Sequence, residues 1–198
     1  MKNSNLYLKN EEKFGRISSF LYSFTNIGYL KKLHEFVIAD ILTYRAKNML
    51  DIGCGPAYVD IEIAKKSDIN VYCIDPSPYM LEIAHKNIHK HNINNIKIDI
   101  GSSRSIPFNV KFDLIISVLS FHHWKAIDMS LLAIASKLNP GSSFIAYEFN
   151  QKHINRLLVP LRKHTVSPDI VNNLDSKKFN VSFQEIDRFI KIIFTYVD

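Results

Sequence analysis

After residue 47, short β-branched runs alternate with stretches in which apolar residues recur at helical spacing. This alternation is typical of parallel strands joined by crossover helices, and it constrains the fold more than any other feature of the chain. The sequence therefore predicts a doubly wound α/β sheet with helices on both faces. The predicted strands are Asn48–Ile52, Asn70–Ile74, Ile96–Ile100, Phe112–Val118 and Ser143–Glu148, and the predicted helices between them are Tyr58–Lys66, Pro78–His91 and Ala126–Leu138.

The pattern changes toward the carboxyl end of the chain. The last of these helices should be closed by the sequence NPG, because Pro140 and Gly141 cannot continue a helix. The apolar runs FNVSFQEI and FIKIIFTYV are then separated only by Asp187 and Arg188. A link that short permits only an antiparallel hairpin, since parallel neighbours need a crossover of about a dozen residues or more.

Further helices are predicted on either side of the main sheet region. Residues 14–42 have apolar side chains at helical spacing with breaks at Gly15 and Gly28, which indicates two helices over one edge of the core. Between the fifth strand and the hairpin, we expect one helix interrupted around Pro160 and a second from near Pro168. The predicted organisation is a single domain, composed of an N-terminal helical cap (1–46), a ligand-binding core (47–150), a helical insert (151–178) and a C-terminal hairpin (179–198).

Length and composition fit one domain of this kind. The chain has 198 residues, 46% of them hydrophobic, which is enough for one substantial core. Its first residues do not resemble a secretory signal, and no run of roughly 18 apolar residues follows, so we expect a soluble cytoplasmic protein without a membrane span. The net charge of +6 is spread along the chain and favours a solvated surface over a nucleic-acid-binding face.

No metal site is expected from the cysteines and histidines. Cys54 and Cys73 have the spacing of neither a zinc site nor a redox pair, and both fall where strands should be buried, so we interpret them as free thiols. His85 and His89 lie four residues apart on a predicted helix, as a metal-binding pair would. The lysines that follow each of them argue against a bound cation and favour an exposed helix face.

The stretch NMLDIGCGPAYVDIEIA, Asn48 to Ala64, predicts a strand, a glycine turn and a helix. A dinucleotide-binding turn would need a third glycine where Tyr58 stands, and no Gly-Lys-Ser/Thr follows to complete a Walker loop. Asp51 at the mouth of the turn would repel a pyrophosphate and attract a cation. Asp75 ends the second strand, where an acid can bind the hydroxyls of a ribose. S-adenosylmethionine is a ligand with a ribose, no phosphate and positive charge.

Five motifs then occur in the order and spacing found in the class I S-adenosylmethionine-dependent methyltransferases. They are LDIGCGPA, IDPSPYMLEIA, GSSRSIPF, FDLIISVLSFHHW and LNPGSSFIAYEF. The chain resembles that family over residues 48–150. The resemblance implies a Rossmann-like, mostly parallel sheet with an antiparallel C-terminal hairpin strand, S-adenosylmethionine as cofactor, and methyl transfer as the activity. The FHHW step and the N-terminal FGRISSFLYSF also resemble the ubiquinone and menaquinone biosynthesis branch.

The resemblance further implies which residues contact the cofactor. Asp51, Gly53 and Gly55 would contact its methionine part, Asp75 its ribose, and Met80 would pack on its adenine. The remaining implied cofactor-binding residues are Pro76, Ser102, Ser103 and Ser117.

The sequence departs from the family pattern at two of these positions. Ala57 stands where many members carry a further glycine, which requires room for a methyl group at the start of the helix. Ser102 stands where the family usually has an aspartate that accepts from the adenine amino group, and a neutral hydroxyl is a weaker acceptor. Asp99 does not replace that acid, because it falls inside the third predicted strand.

The segment after the fourth strand should face the methyl group. Methyl transfer from a sulfonium is a direct displacement, so the protein must hold donor and acceptor in line, and needs a base only where the acceptor loses a proton. His122 and His123 are the candidate base or acceptor-orienting groups. The alternative is that this pair packs and hydrogen-bonds at the strand end. Trp124 is interpreted as a core or rim aromatic.

The same segment lacks the signatures of several substrate classes. It has no Asn/Asp-Pro-Pro-aromatic sequence for base amines, no acidic metal ligand near Ser117 for catechols, and no loop with paired glutamates for arginine. A small-molecule acceptor therefore remains. Apolar and aromatic residues of the cap and the insert either line a pocket for an aromatic or lipophilic acceptor or belong to the core. They are Tyr22, Phe24, Tyr29, Phe36, Leu157, Leu158, Val159 and Leu161.

Two other functions remain open at this stage. The positive net charge motivates an RNA or protein methyltransferase, which would need a clustered basic face beside the cofactor mouth. Ser102 and the unassigned acceptor site motivate a domain that binds the cofactor without catalysis. The acceptor, the methylated atom and the oligomeric state do not follow from the sequence.

Overall fold

The computed structural model describes residues 28–153, 165–167 and 178–197. Within these ranges, eight strands form one sheet, accompanied by four α-helices and the short 3-10 turns Phe121–His123 and Gln151–His153. In chain order the elements are α1 (Gly28–Ile41), β1 (Asn48–Ile52), α2 (Tyr58–Lys66), β2 (Asn70–Asp75), α3 (Pro78–Lys90), β3 (Ile96–Ile100), β4 (Phe112–Val118), α4 (Ile127–Ala135), β5 (Leu138–Asn150), β6 (Thr165–Val166), β7 (Phe179–Ile186) and β8 (Phe189–Tyr196).

The sheet has the strand order β3-β2-β1-β4-β5-β8-β7, with β6 paired to β5. β1 runs parallel to β2 and to β4, and β4 runs parallel to β5. β8 is antiparallel to both β5 and β7, as predicted from the two-residue link between the last strands. The strand order reverses between β1 and β4, and the carboxyl ends of strands at such a reversal form the ligand-binding crevice of doubly wound sheets. The predicted fold class is therefore confirmed.

Strand and helix boundaries agree closely with the sequence interpretation, with two exceptions. β1, β3, β4 and α2 have the predicted bounds, β2 extends one residue further, and α3 ends one residue earlier. The helix predicted as Ala126–Leu138 is wrong at its end, because α4 stops at Ala135. The fifth strand, predicted as Ser143–Glu148, is longer at both ends, since β5 extends from Leu138 to Asn150. The NPG sequence lies inside β5, where the register shifts by several residues against β4. A bulge of this kind accommodates a proline and a glycine within a strand.

Both faces of the sheet are buried at its centre, whereas the edge strands β3 and β7 have alternate residues exposed. Side chains alternate between the faces along each strand, so Leu114 and Ile116 join one apolar cluster while Ile115 joins the other. The cluster on the α1 and α2 face includes Met49 and Ile145. Burial on both faces explains why the parallel strands read as nearly continuous apolar runs.

A buried polar network fixes α1 to the sheet. Tyr147 Oη in β5 donates to Asp40 Oδ2 at 2.6 Å, and Lys191 Nζ in β8 forms an ion pair with the same oxygen at 2.6 Å. Burial lowers the pKa of Lys191, but its contacts with Asp40 and Tyr44 more than offset this and leave the pKa raised. The lysine therefore stays charged within the sheet because Asp40 is its partner.

The flanking segments are only partly described. α1 begins at Gly28, the predicted break, whereas the helix predicted before it and the two predicted around Pro160 and Pro168 lie outside the described residues. Between these, Thr165–Val166 form a short strand against the end of β5, where only helix was predicted. That expectation was wrong at these two residues. In the described ranges, no helix has the length and apolarity needed to cross a membrane.

Candidate active site

The glycine turn after β1 is fixed to the end of β2. Gly53 N and Cys54 N both donate to Ile74 O, at 2.8 and 3.1 Å. Gly53 and Gly55 have φ angles of 84° and 51°, in the left-handed region that favours glycine. A side chain at Gly53 would collide with Ser120, whereas a Cβ at Gly55 would meet no atom within 4 Å. The first glycine thus allows close packing, and the second borders open space where a ligand can approach.

Ala57 adopts the backbone conformation that a glycine would adopt more readily. Its φ and ψ are 60° and 32°, and the residue is fully buried at the start of α2. The methyl group has the room that the sequence interpretation required. A left-handed conformation costs an L-residue roughly 1 kcal/mol, so this position carries local strain.

Asp75 connects the glycine turn to the start of α3. Its Oδ2 accepts from Gly55 N at 3.0 Å, and its Oδ1 accepts from Ser77 N at 2.8 Å. Burial raises its pKa to about 6, against the two backbone bonds, which lower it. Each oxygen keeps a second lone pair, so the carboxylate can accept further hydrogen bonds from a ligand.

Asp51 lies beneath the turn, next to Asp60, an acid that sequence analysis did not identify as a site residue. Asp51 is 2% exposed and Asp60, in the first turn of α2, is 1% exposed. Asp51 Oδ1 and both oxygens of Asp60 have no hydrogen bond of good geometry. Burial is the main cause that raises the pKa of Asp51 well above its usual range, and the negative charge of Asp60 raises it further. In the sequence, Asp60 looked like an ordinary acid at a helix start.

The residues implied for adenine lie around the ends of β2 and β3. Met80 is buried in the first turn of α3, which is capped by Ser77, and Pro76 is half-buried. Ser102 Oγ is buried and has no hydrogen-bond partner. Ser103 Oγ, by contrast, shares a 2.8 Å hydrogen bond with Ser130 Oγ of α4. Of the two serines, Ser102 is therefore the one whose hydroxyl has no partner among the described residues.

These features fit the cofactor implied by the sequence. A buried polar atom without a partner is unusual, because it carries the full cost of its lost hydration. Asp51 Oδ1 and Ser102 Oγ are two such acceptors, and Gly55 offers the space between backbone and ligand. S-adenosylmethionine has an ammonium group and an adenine amino group that can donate hydrogen bonds. The residues present therefore suit it.

Ser120 joins the segment after β4 to the glycine turn. Its Oγ donates to Ile52 O at 2.9 Å and accepts from Ser117 Oγ at 3.1 Å and from Trp124 Nε1 at 3.3 Å. Ser117, which was predicted to contact the cofactor, thus has its hydroxyl bonded to Ser120. Trp124 stacks on Phe144 with the ring planes 13° apart, as expected of a core or rim aromatic.

His122 and Glu148 form a buried pair at the carboxyl ends of β4 and β5. His122 Nδ1 lies 2.8 Å from Glu148 Oε2, and the two side chains are 5% and 0% exposed. His122 N also donates to Glu148 Oε1 at 3.3 Å. The His123 ring packs against that of His122, with centroids 3.9 Å apart. Glu148 was predicted only as a strand end, although an acid at the end of the strand beside β4 was a signal for this pairing.

Of the residues predicted for an acceptor pocket, the structure describes the side chain of Phe36 alone. Phe36 packs edge-on against Tyr147, with ring centroids 6.2 Å apart, on the α1 face of the sheet. It therefore belongs to the core, which was one of the two interpretations. Tyr29 lies in α1 without a described side chain, and the other six residues lie outside the described ranges.

The histidines of α3 lie apart from this site. His85 and His89 line a shallow surface depression together with Lys86 and Lys90. Across the described ranges, no group of three or more histidine, cysteine, aspartate or glutamate side chains is arranged to hold a metal ion.

A family model described as a methyltransferase domain matches residues 44–188. Ajmaline N-methyltransferase from Rauvolfia serpentina is 26% identical over 118 residues, which are 59% of this chain and 39% of that protein. The mitochondrial ubiquinone biosynthesis O-methyltransferase of Schizosaccharomyces pombe is 23% identical over 151 residues, which are 75% of this chain and 54% of that protein. The chain thus matches only about two fifths to about half of these relatives.

The fold also matches solved structures. A proposed S-adenosyl-L-methionine-dependent methyltransferase from Methanococcus maripaludis superposes with a TM-score of 0.79 at 22% identity, over 97% of this chain and 98% of that one. This structural likeness shows the fold, and the family model matches most of the sequence. The chain belongs to the class I S-adenosylmethionine-dependent methyltransferases, the family whose cofactor is S-adenosylmethionine.

Proposed function

We propose that this protein transfers a methyl group from S-adenosylmethionine to a small aromatic or lipophilic acceptor that loses a proton in the reaction. The observation that carries this proposal is the buried pair of His122 and Glu148, of which His122 lies in the segment that Ser120 packs against the glycine turn. This pair would place a base next to the cofactor-binding turn. An acceptor with an ionisable hydroxyl or ammonium group requires such a base.

The cofactor would be held by residues of three strand ends. Asp51 and the Gly53–Gly55 turn would bind its methionine part, Asp75 its ribose, and Met80 and Ser102 its adenine. Pro76, Ser103 and Ser117 would line the same cofactor-binding crevice. When bound, the cofactor supplies a methyl group on a positively charged sulfur that leaves as a neutral thioether.

His122 would receive the proton of the acceptor. Because Glu148 accepts from Nδ1–H, the ring is held in the tautomer whose Nε2 carries a lone pair. An acceptor hydroxyl would give its proton to Nε2 as its oxygen bonds to the methyl group, whereas an acceptor ammonium would give up its proton first, because its nitrogen has no lone pair until then. His123, packed on the same ring, would orient the acceptor. Glu148 is a positioning residue, since it acts through His122.

The relatives support an acceptor of low molecular weight. One is named for ajmaline and the other for ubiquinone biosynthesis, and both names describe methylation of small molecules. We assign acceptor recognition to residues 1–46 and 151–178, the parts of the chain that flank the core within the proposed single domain.

Formation of S-adenosylhomocysteine tests this proposal. Purified protein is incubated with S-adenosylmethionine and a panel of phenols, quinols and amines, with RNA and a protein extract as separate arms. We expect turnover on a small acceptor, loss of that turnover in His122→Gln, and normal turnover in His85→Gln, which changes an exposed histidine of α3. Turnover confined to RNA or protein would contradict the proposal, as would cofactor binding without turnover in any arm.

A further inference from the structure

The strongest feature outside the proposed chemistry is the buried contact between Asp51 and Asp60. The two carboxyl groups come from different elements, β1 and the first turn of α2, and they meet beneath the glycine turn. Burial is the main cause that raises the pKa of Asp51, and the two groups are close enough for the negative charge of Asp60 to raise it further. We call these two residues the acid pair.

No cation of the described chain neutralises the acid pair. Neither aspartate takes part in an ion pair, and three of their four oxygens are buried without a well-formed hydrogen bond. Two buried carboxyl groups in contact cannot both carry a negative charge at neutral pH, because desolvation and mutual repulsion both oppose it. The ligand-free pair must therefore hold a proton.

The groups around the acid pair are acidic as well. Asp75 at the end of β2 raises the pKa of Asp51, whereas a hydrogen bond from Cys73 opposes the effect of burial on the pKa of Asp60. Against a hydrogen bond with Cys73, burial and the aspartates in turn raise the pKa of the Cys54 thiol in the turn. Burial and the neighbouring aspartates raise the pKa of the Cys73 thiol well above its usual range, which keeps it neutral. The positive end of α2 favours an acid at Asp60, but a helix end compensates only part of a buried charge.

We propose that Asp60 is a second acid of the cofactor cradle, and that the acid pair holds one shared proton which it releases to solvent when the ammonium group of the cofactor binds. This inference rests on the proposed function, since it takes the methionine part of S-adenosylmethionine as the ligand beside Asp51. The ammonium keeps its own protons. The ammonium group brings one positive charge to the pair and the released proton takes one away, so both carboxyl groups are then ionised.

The inference makes binding of the cofactor pH-dependent. At pH values at which the pair holds its shared proton, the cation must displace that proton, so affinity for the cofactor should rise with pH until the pair ionises by itself. S-adenosylhomocysteine carries the same ammonium group and should release the same proton. The neutral nucleoside 5′-methylthioadenosine lacks it and should bind without proton release.

Calorimetric titration in buffers of different ionisation enthalpy measures this proton directly. At pH about 6.5 the ligand amine is already protonated, because its ordinary pKa is about 8. For the unchanged protein we expect release of about one proton with S-adenosylmethionine and with S-adenosylhomocysteine, and about none with 5′-methylthioadenosine. In Asp60→Asn, Asp51 no longer faces a second negative charge and can accept from the asparagine amide, so we expect clearly less release and about tenfold weaker binding of S-adenosylmethionine. Asp68→Asn, at an exposed position after α2, should behave like the unchanged protein.

Two results would overturn the inference while leaving the proposed function intact. One is binding of S-adenosylmethionine with equal proton release in Asp60→Asn, and the other is equal release with 5′-methylthioadenosine. Absence of any binding to the unchanged protein would instead reject the proposed function. If Asp60→Asn does not fold, carboxyl carbon NMR of the unchanged protein replaces it. The inference then requires a buried aspartate that is protonated at pH about 6.5 and ionises when S-adenosylmethionine is added.

Discussion

His122 Nδ1 lies 2.8 Å from Glu148 Oε2, and neither side chain is more than 5% exposed. The pair joins the segment after β4 to the carboxyl-terminal part of β5. A buried carboxylate bonded to one nitrogen of a histidine fixes both the orientation of the ring and the nitrogen that accepts a proton. The pair is therefore the part of the structure on which the proposed proton transfer depends.

Glu148→Gln should slow methyl transfer without weakening cofactor binding. Glutamine can also donate to Nδ1, which permits the wrong tautomer of His122. We expect kcat to fall by about 100-fold with the KM of the acceptor changed by less than about threefold. Steady-state kinetics on the acceptor found in the panel, together with calorimetry of S-adenosylmethionine, measure both effects. A variant with unchanged kcat would show that the pair is structural.

The two glycines of the turn should respond differently to alanine. In Gly53→Ala the added methyl group meets the Ser120 side chain, so we expect a loss of stability on the order of 2 to 4 kcal/mol. In Gly55→Ala the space is open, so stability should fall by only about 1 kcal/mol, from the left-handed backbone. The cofactor should nevertheless bind Gly55→Ala several-fold more weakly. Urea denaturation and calorimetry separate the two effects, and equal behaviour of the two variants would contradict this account of the turn.

Ala57→Gly should stabilise the protein. The residue has a φ of 60°, which glycine adopts without strain, and its methyl group is the only group lost. Relief of the strain should exceed the added flexibility of the unfolded chain and raise the free energy of unfolding by about 0.5 to 1 kcal/mol. Ala133→Gly, inside α4, is the matched control and should lower it by about the same amount. Destabilisation by Ala57→Gly would mean that the buried methyl contributes more than the strain costs.

Asp60→Asn should change how stability depends on pH. The pKa of Asp60 is raised by burial to about 6 in the folded protein, above its value of 3.8 in model compounds. The folded state thus binds the proton more tightly, and this contribution is fully present below pH 4 and lost as the pH rises through 6. Relative to Asp60→Asn, the unchanged ligand-free protein should lose on the order of 2 kcal/mol across this range.

Chemical denaturation of both proteins at several pH values checks this difference, with Asp68→Asn as the exposed control. A difference that does not vary with pH would mean that Asp60 titrates normally in the folded state. The same experiment with saturating S-adenosylmethionine should reduce the difference, because the ammonium group then compensates the charge.

The sequence predicted most of the sheet because its signals there are local. β1 and β4 are mostly apolar runs buried on both faces, and β3 alternates apolar and polar residues as a half-exposed edge strand does, so each pattern predicts a strand without reference to the rest of the fold. The end of α4 was not predictable in this way. Pro140 and Gly141 are helix breakers, but they are equally suited to a bulge, and only the pairing of β5 with β4 decides between the two.

Sequence analysis identified the candidate-site residues that belong to a recognisable motif. It missed the residues whose position in the site depends on contacts between parts of the chain that are distant in sequence. Asp51, Gly53, Gly55 and Asp75 stand out in the sequence because the turn after the first strand has a recognisable composition. Asp60 could not be distinguished from a helix-start acid, since its burial depends on packing of α2 against β1 and β2.

Binding of S-adenosylmethionine to the purified protein, measured by calorimetry, tests the central claim most directly. We predict one binding site per chain. Asp75→Asn should weaken the binding of S-adenosylmethionine by about tenfold or more, because one backbone or ribose hydrogen bond to the carboxylate is lost. Asp68→Asn should leave the affinity unchanged. Absence of binding, or equal affinity in the Asp75→Asn protein, would contradict the assignment of this turn as the cofactor site.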